Sequence, residues 1–269
     1  MSHHICLTCG CQYDGSESPP RRCKICEDER QYVGFEGQRW TTLDELRATH
    51  VNRFDEMEPG LLRVGTEPSF AIGQHAYLVE TPGGNVLWDC ISLLDDTTVA
   101  TIAQRGGFRA IALSHPHYYS SIVEWSRAFD DAPIYIHAAD RKWVTRRSAA
   151  IVFWEGETLD LGDGLTLIRG GGHFEGATMM HWPAGAEGRG ALMAGDTIQV
   201  VYDRRWVSFM YSYPNLIPLP PSKVRHLVDV VEPYEFDRIY SPWLGRVVAS
   251  DGKAVVRRSA ERYLAAIED

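Results

Sequence analysis

Ile111-Ala112-Leu113-Ser114-His115-Pro116-His117 is an apolar run that ends on two histidines, and its reading decides the rest of the chain. The run predicts a strand over 109–114 with its chemistry at the end. In extended backbone, residues two apart share a face, so a His-x-His pair makes half of a metal site where the chain bends or the faces match. Two later segments have the same form. His173 lies in Gly170-Gly171-Gly172-His173-Phe174-Glu175-Gly176, where glycines permit a sharp loop. Asp196 lies in Ala194-Gly195-Asp196-Thr197, directly after an apolar stretch read as a strand over 191–194. A single histidine more often packs in a core than binds an ion; the order His-x-His, Gly-His, Gly-Asp is far more specific.

Working outward, strands and helices alternate. Strands are predicted at 70–72, 76–80, 86–89, 133–137, 158–161, 165–169, 178–182 and 237–240. Helices are predicted from Asp95 or Asp96 to Gln104, over 122–129, 140–146 and 222–231, and from about 254 to 267. In the last helix Val256, Ala260, Tyr263, Leu264 and Ile267 form one apolar stripe, read as core. The pattern predicts a layered α/β (α+β) fold. Residues 31–60 read as a connector holding one short helix, opened by the capping pattern Thr42 to Glu45. Residues 61–269 read as the main domain.

The charge sum is −9, which argues against a nucleic-acid binder that relies on neutralising phosphates. No apolar run is long enough to span a membrane, and Met1-Ser2-His3-His4 does not open a signal peptide. A cytoplasmic location is expected. Five of the six cysteines fall in the first 26 residues. Cys6-x-x-Cys9 and Cys23-x-x-Cys26 are two knuckles with the spacing of a four-sulfur metal site, zinc before iron. Cys11, His3 and His4 compete for a position. A segment this short cannot bury enough surface to fold alone, so the ion would supply its folding energy. Residues 1–30 are therefore read as a small zinc-binding segment. Cys90 reads as a buried apolar residue.

Two resemblances follow. Cys6-Leu7-Thr8-Cys9-Gly10 through Tyr13-Asp14-Gly15 resembles the first knuckle of a rubredoxin, with a shorter gap to the second, as in a zinc ribbon. The body from about Gly65 onward resembles the metallo-β-lactamase fold superfamily, in particular its glyoxalase-II-like hydrolases. It carries Asp89 after a strand, Ser114-His115-Pro116-His117 at the His-x-His-x-Asp-His position, Gly172-His173, and Gly195-Asp196-Thr197. The resemblance implies an αββα sandwich with metal at one edge. It also exposes departures. Tyr119 and Ser120 stand where the family has Asp and His, and Pro242-Trp243-Leu244-Gly245 stands where it has a Pro-Gly-His-Gly-like segment. The second metal subsite is lost.

The resemblance then implies one ion, held by His115, His117 and His173, with Asp196 as fourth ligand or as the base that orients water. A zinc there would support hydrolysis of an ester, thioester, amide or lactone in a small-molecule substrate. The alternatives are an inactive metal- or ligand-binding member of the fold, and a mononuclear iron site of the dioxygenase kind. Tyr119, His75 and Trp243 are candidate substrate contacts; Tyr119 otherwise fills vacant volume, and His75 otherwise packs. His137 and His181 read as structural. The aromatic stretch from Tyr202 to Tyr213 lines the substrate mouth or makes a homodimer contact.

Overall fold

A computed structural model describes residues 1–268. The chain divides into two compact units, one of Met1–Ile136 with Arg141–Phe153, the other of His137–Asp140 with the chain from Trp154 onward.

The first unit is built on seven strands that neighbour one another in sequence order: Val51–Glu58, Leu61–Glu67, His75–Val79, Val86–Trp88, Ala110–Ala112, Ile134–His137 and Ile151–Trp154. The first four run antiparallel. The pairs Val86–Trp88 with Ala110–Ala112, and Ala110–Ala112 with Ile134–His137, are parallel. These central strands are short and fully apolar, as buried parallel strands are. Between the first parallel pair, Asp95 caps the helix Asp96–Gln104 by accepting the Thr98 amide.

Two expectations are corrected here. Residues 51–58 and 61–67 form a hairpin within and beyond the stretch read as connector. Val51–Glu58 is the edge strand, and its exposed charges Arg53 and Asp55 are matched across the pair. Arg63 bonds Asp55 at 2.6 Å and Glu67 bonds Arg53 at 2.8 Å. Such charged edges protect a sheet from further pairing and hide its period-two signal. Residues 70–72, read as a strand, are a turn with Ala71 at φ 52°, and Phe70 packs on Ile5, Leu46 and Leu93 instead. The helix Leu43–Thr49 has the expected reciprocal cap between Thr42 and Glu45. The N-terminal segment is not held apart: Ile5–Cys6 pairs with Trp40–Thr41, and its cysteines share one apolar cluster with Leu62, Leu78, Leu87 and Ile111.

The second unit is built on six strands ordered Thr158–Gly162, Leu165–Arg169, Thr178–Trp182, Ala191–Met193, Arg238–Tyr240 and Val247–Val248. Its core gathers Ile168, Met179, Leu192 and Ile239 with Val224, Leu227 and Val231 of the helix Pro221–Val231. The last helix, Gly252–Ile267, buries Val255, Val256, Ser259 and Ala260. The expected stripe packs as core through Val256, Ala260, Tyr263 and Leu264, with Val255 beside them, while Ile267 is exposed. Residues 140–146, read as a helix, lie partly in a 3₁₀ turn, Ala138–Trp143. Among the described residues no helix is long and apolar enough to cross a membrane.

His181, on Thr178–Trp182, lies 2.8 Å from the Glu235 carbonyl, which only a ring N–H can satisfy. Burial pushes its pKa below the ordinary 6.5, and burial does the same at His137. A folded-state value below the unfolded one favours the neutral ring, so the stability it contributes is full above 6.5 and is lost as pH falls from there toward the folded value. The unfolding midpoint, read by scanning calorimetry, is expected to decline as pH drops below 6.5, and His181→Gln to flatten that decline.

Candidate metal centre

The first half of the site belongs to the first unit. Val86–Trp88 and Ala110–Ala112 run out side by side, at Asp89 and Ser114. Asp89 adopts a left-handed backbone, φ 59°, and its buried carboxylate accepts the Ser114 amide at 2.7 Å. That bond fixes where the strand ends. His115 follows in extended backbone, and a single 3₁₀ turn, Pro116–Tyr118, carries His117. The turn supplies the bend that a His-x-His pair needs, leaving the two rings 5.0 Å apart and steeply inclined. The Ser114 hydroxyl lies 2.9 Å from His115 Nδ1 and steadies that ring.

The second half belongs to the second unit. Gly171 and Gly172 take φ 63° and 79°, values a side chain disfavours, and so turn the loop that presents His173. His173 Nδ1 lies 3.2 Å from the Met210 carbonyl. A carbonyl only accepts, so the proton sits on Nδ1 and Nε2 keeps its lone pair for an ion. Asp196 follows Ala191–Met193 through Gly195 at φ 53°. Two aromatic side chains hold it. The Tyr213 hydroxyl lies 3.1 Å from the Asp196 carbonyl oxygen, and the Trp243 indole N–H donates to Asp196 Oδ1 at 2.9 Å. Tyr213 is buried, and both burial and the Asp196 charge push its phenol pKa well up, keeping it a neutral donor.

His115, His117, His173 and Asp196 are all buried, and one ligand atom from each lies within 4.8 Å of the others. The donors suit a divalent cation: three imidazoles, of which His115 and His173 are held by partners at Nδ1, and one carboxylate.

A second group, Cys6, Cys9, Cys23 and Cys26, meets the same distance criterion within the first unit. Cys6 and Cys26 sulfurs are 3.5 Å apart, Cys9 and Cys23 sulfurs 3.6 Å. The Tyr13 hydroxyl and the Gln38 amide donate to Cys23 and Cys6 at 3.3 and 3.1 Å, as donors do toward metal thiolates. Hydrogen bonds from Cys23, Cys26 and Cys9 push Cys6 well below the usual thiol range, while Cys9 and Cys26 are pushed up by neighbouring sulfurs. An ion would accept all four as thiolates. Cys11 stays outside, its thiol on the Pro116 carbonyl at 3.4 Å. His3 bonds the Tyr13 carbonyl, and neither it nor His4 joins the group.

The remaining candidates are placed as follows. His75 packs across the strand pair on Gly65, where any Cβ would meet its ring at 2.1 Å. Tyr119 is buried in the apolar cluster of the first unit. His137 bonds the Gly156 carbonyl, and Cys90 is buried. Trp243, a candidate substrate contact, is the indole donor to Asp196. Within the aromatic stretch, Phe209 is core, Arg262 stacks 3.9 Å from the Trp206 ring, and Met210 and Tyr213 support the ligands. That support was missed; the one signal in sequence was a donor-only side chain at the position of the lost histidine.

The structure is similar to solved metallo-β-lactamases. It superimposes on DIM-1 metallo-β-lactamase with TM-score 0.59 at 14% identity, over 80% of this chain and 98% of that one. It superimposes on VMB-1 equally well, over 80% and 97%. The fold is therefore the α/β sandwich of the metallo-β-lactamases. No protein-family model matches the chain. In sequence it is 52% identical over 269 residues to "uncharacterized protein YmaE" of Bacillus subtilis strain 168, covering 99% of this chain and 97% of that one. The chain belongs to the family of that protein.

Tyr213→Phe removes a buried hydroxyl that serves the Asp196 and Ser208 carbonyls. Thermal or denaturant unfolding should show a loss of about 1–2 kcal/mol.

Proposed function

We propose that the chain is a hydrolase with a single zinc ion in its body site, acting on an ester, thioester, amide or lactone of a small molecule. The observation that carries the single-ion reading is the Trp243 indole N–H on Asp196 Oδ1. One oxygen of the carboxylate accepts from a neutral donor on the residue that stands where the resemblance expects a second-site histidine, which favours a carboxylate serving one ion. Tyr119 and Ser120 add no ligand of the kind a second ion needs.

Bound at this centre, zinc supplies a Lewis acid and brings a water to a pKa near ~7. The chain's own groups then do three things. His115, His117 and His173 bind as neutral ligands, which preserves the ion's acidity. Met210 and Ser114 hold His173 and His115 at Nδ1 and so orient Nε2. Asp196, held by Trp243 and Tyr213, would complete the donor set as the fourth ligand. Leu244, exposed beside Trp243 in sequence, favours a substrate with apolar bulk.

Elemental mass spectrometry should find two zinc per wild-type chain and one in His117→Ala, with hydrolysis of an ester and thioester panel lost in the variant. Trp243→Phe should keep the fold while weakening body-site zinc about 10- to 100-fold, the usual cost of losing a donor to a metal ligand. Zinc only at the sulfur site of the wild type, or iron at the body site with dioxygen uptake, would sink this reading.

A further inference from the structure

We infer that the four-cysteine segment is a positioning device for the His115–His117 loop, so that the ion held by its sulfurs sets the affinity of the body site. The inference rests on the body loop binding an ion, as proposed above.

The knuckle and the loop are joined at four points inside the first unit. The Cys11 thiol, two residues past the first knuckle, donates to the Pro116 carbonyl at 3.4 Å, between the two histidines. The Gln12 amide donates to the Ser120 carbonyl at 3.0 Å, just after the turn. Gln74, itself buried, aims its side-chain amide at the Cys9 carbonyl at 3.3 Å and at the His117 carbonyl at 3.5 Å. Ser92 donates to the Gly10 carbonyl at 2.7 Å while its own carbonyl accepts from Ser121 at 2.7 Å. The approach is close enough to dictate a residue: a Cβ on Gly10 would meet the Ser92 hydroxyl at 2.6 Å. The metal-ligand turn therefore leans on backbone that the four-sulfur group helps to organise. Residues 6–12 have little apolar surface of their own beyond the cysteines, so their conformation depends on the ion that gathers those sulfurs. Releasing that ion frees the Cys9, Gly10 and Cys11 backbone, and the His115–Ser120 turn loses its footing.

Thermodynamic linkage makes the coupling reciprocal: an ion at either site tightens the other by the same factor. This separates positioning from mere stability. The full-length protein is titrated with zinc alone, against a competing chromophoric chelator, and both dissociation constants are read. In wild type the body site should bind about tenfold more weakly once the sulfur ion has been stripped, and the sulfur ion should be held about tenfold more weakly in His117→Ala. Cys23→Ser with Cys26→Ser should reproduce the first loss. Because that variant can misfold, Gln74→Leu and Ser92→Ala test the contact directly: each should weaken body-site zinc, leave zinc bound at the sulfur site, and reduce the reciprocal factor. The inference is overturned if body affinity is indifferent to the sulfur ion, or if Gln74→Leu lowers the melting temperature while the reciprocal factor stays at its wild-type value. A wild-type body site that takes no zinc overturns both this inference and the hydrolase reading. Indifference with zinc bound overturns this one alone.

Discussion

A carboxylate buried completely after the strand Val86–Trp88 has to be satisfied by hydrogen bonds, and at Asp89 the Ser114 amide supplies one. The consequence reaches well past one bond. Two parallel strands end together, and the chain leaving the second is aimed before it reaches His115. A loop held only by its own turn would let the histidines sample many rotamers, and binding an ion would then have to offset that entropy. Here the extended His115, the proline that follows and the single 3₁₀ turn leave the pair little freedom, and Ser114 constrains one ring further. The same logic recurs in the second unit, where left-handed glycines place His173 and a backbone carbonyl selects its tautomer. In both units the protein pre-orders imidazoles for an ion by engaging the nitrogen that does not bind it.

How much of this was legible depends on where the determining contacts lie. The central strands and the helices were readable because their burial is dictated by composition: Val86-Leu87-Trp88 and Ala110-Ile111-Ala112 are apolar without interruption. The edge strand Val51–Glu58 was not, since a strand with one open side needs no apolar alternation and its charges pair across the ladder. The ligands were readable as types at strand ends. Their supports were not, because an acceptor such as the Met210 carbonyl acts through backbone and leaves no trace in residue identity. Trp243 shows the intermediate case. Its position was noticed as a lost histidine, yet its indole was weighed as apolar surface when its one polar atom was what mattered.

The cysteine segment illustrates the cost of reading by composition alone. A cluster of thiols ahead of an apparent connector suggests an appendage. The structure instead puts those cysteines in the same apolar cluster as Leu78 and Ile111, with Lys24 reaching the Lys142 and Val144 carbonyls and Gln12 reaching Arg146. Sequence distance concealed this, since the hydrogen-bond partners of Lys24 and Gln12 lie more than a hundred residues away. A segment too small to fold by hydrophobic burial gains from being sewn to a larger core, and the core gains a rigid surface in return.

Charge ties Trp243 to the single-ion reading proposed for the site. Three neutral imidazoles and one carboxylate around one divalent cation leave a net charge of about +1, which a bound hydroxide can offset. A second divalent cation on the same donors would raise the sum to about +3 inside a site whose ligands are buried, where uncompensated charge is costly. The positions that could have supplied further ligands hold Tyr119 and Ser120, both buried and neither a carboxylate nor an imidazole. What the remaining oxygen of Asp196 requires is a partner without charge. An indole N–H is such a group: it donates once, accepts nothing and cannot ionise to bind metal in the lost histidine's place. Under the proposed single-ion reading, the absence of further ligands at Tyr119 and Ser120 and the tryptophan on Asp196 fit together at one carboxylate.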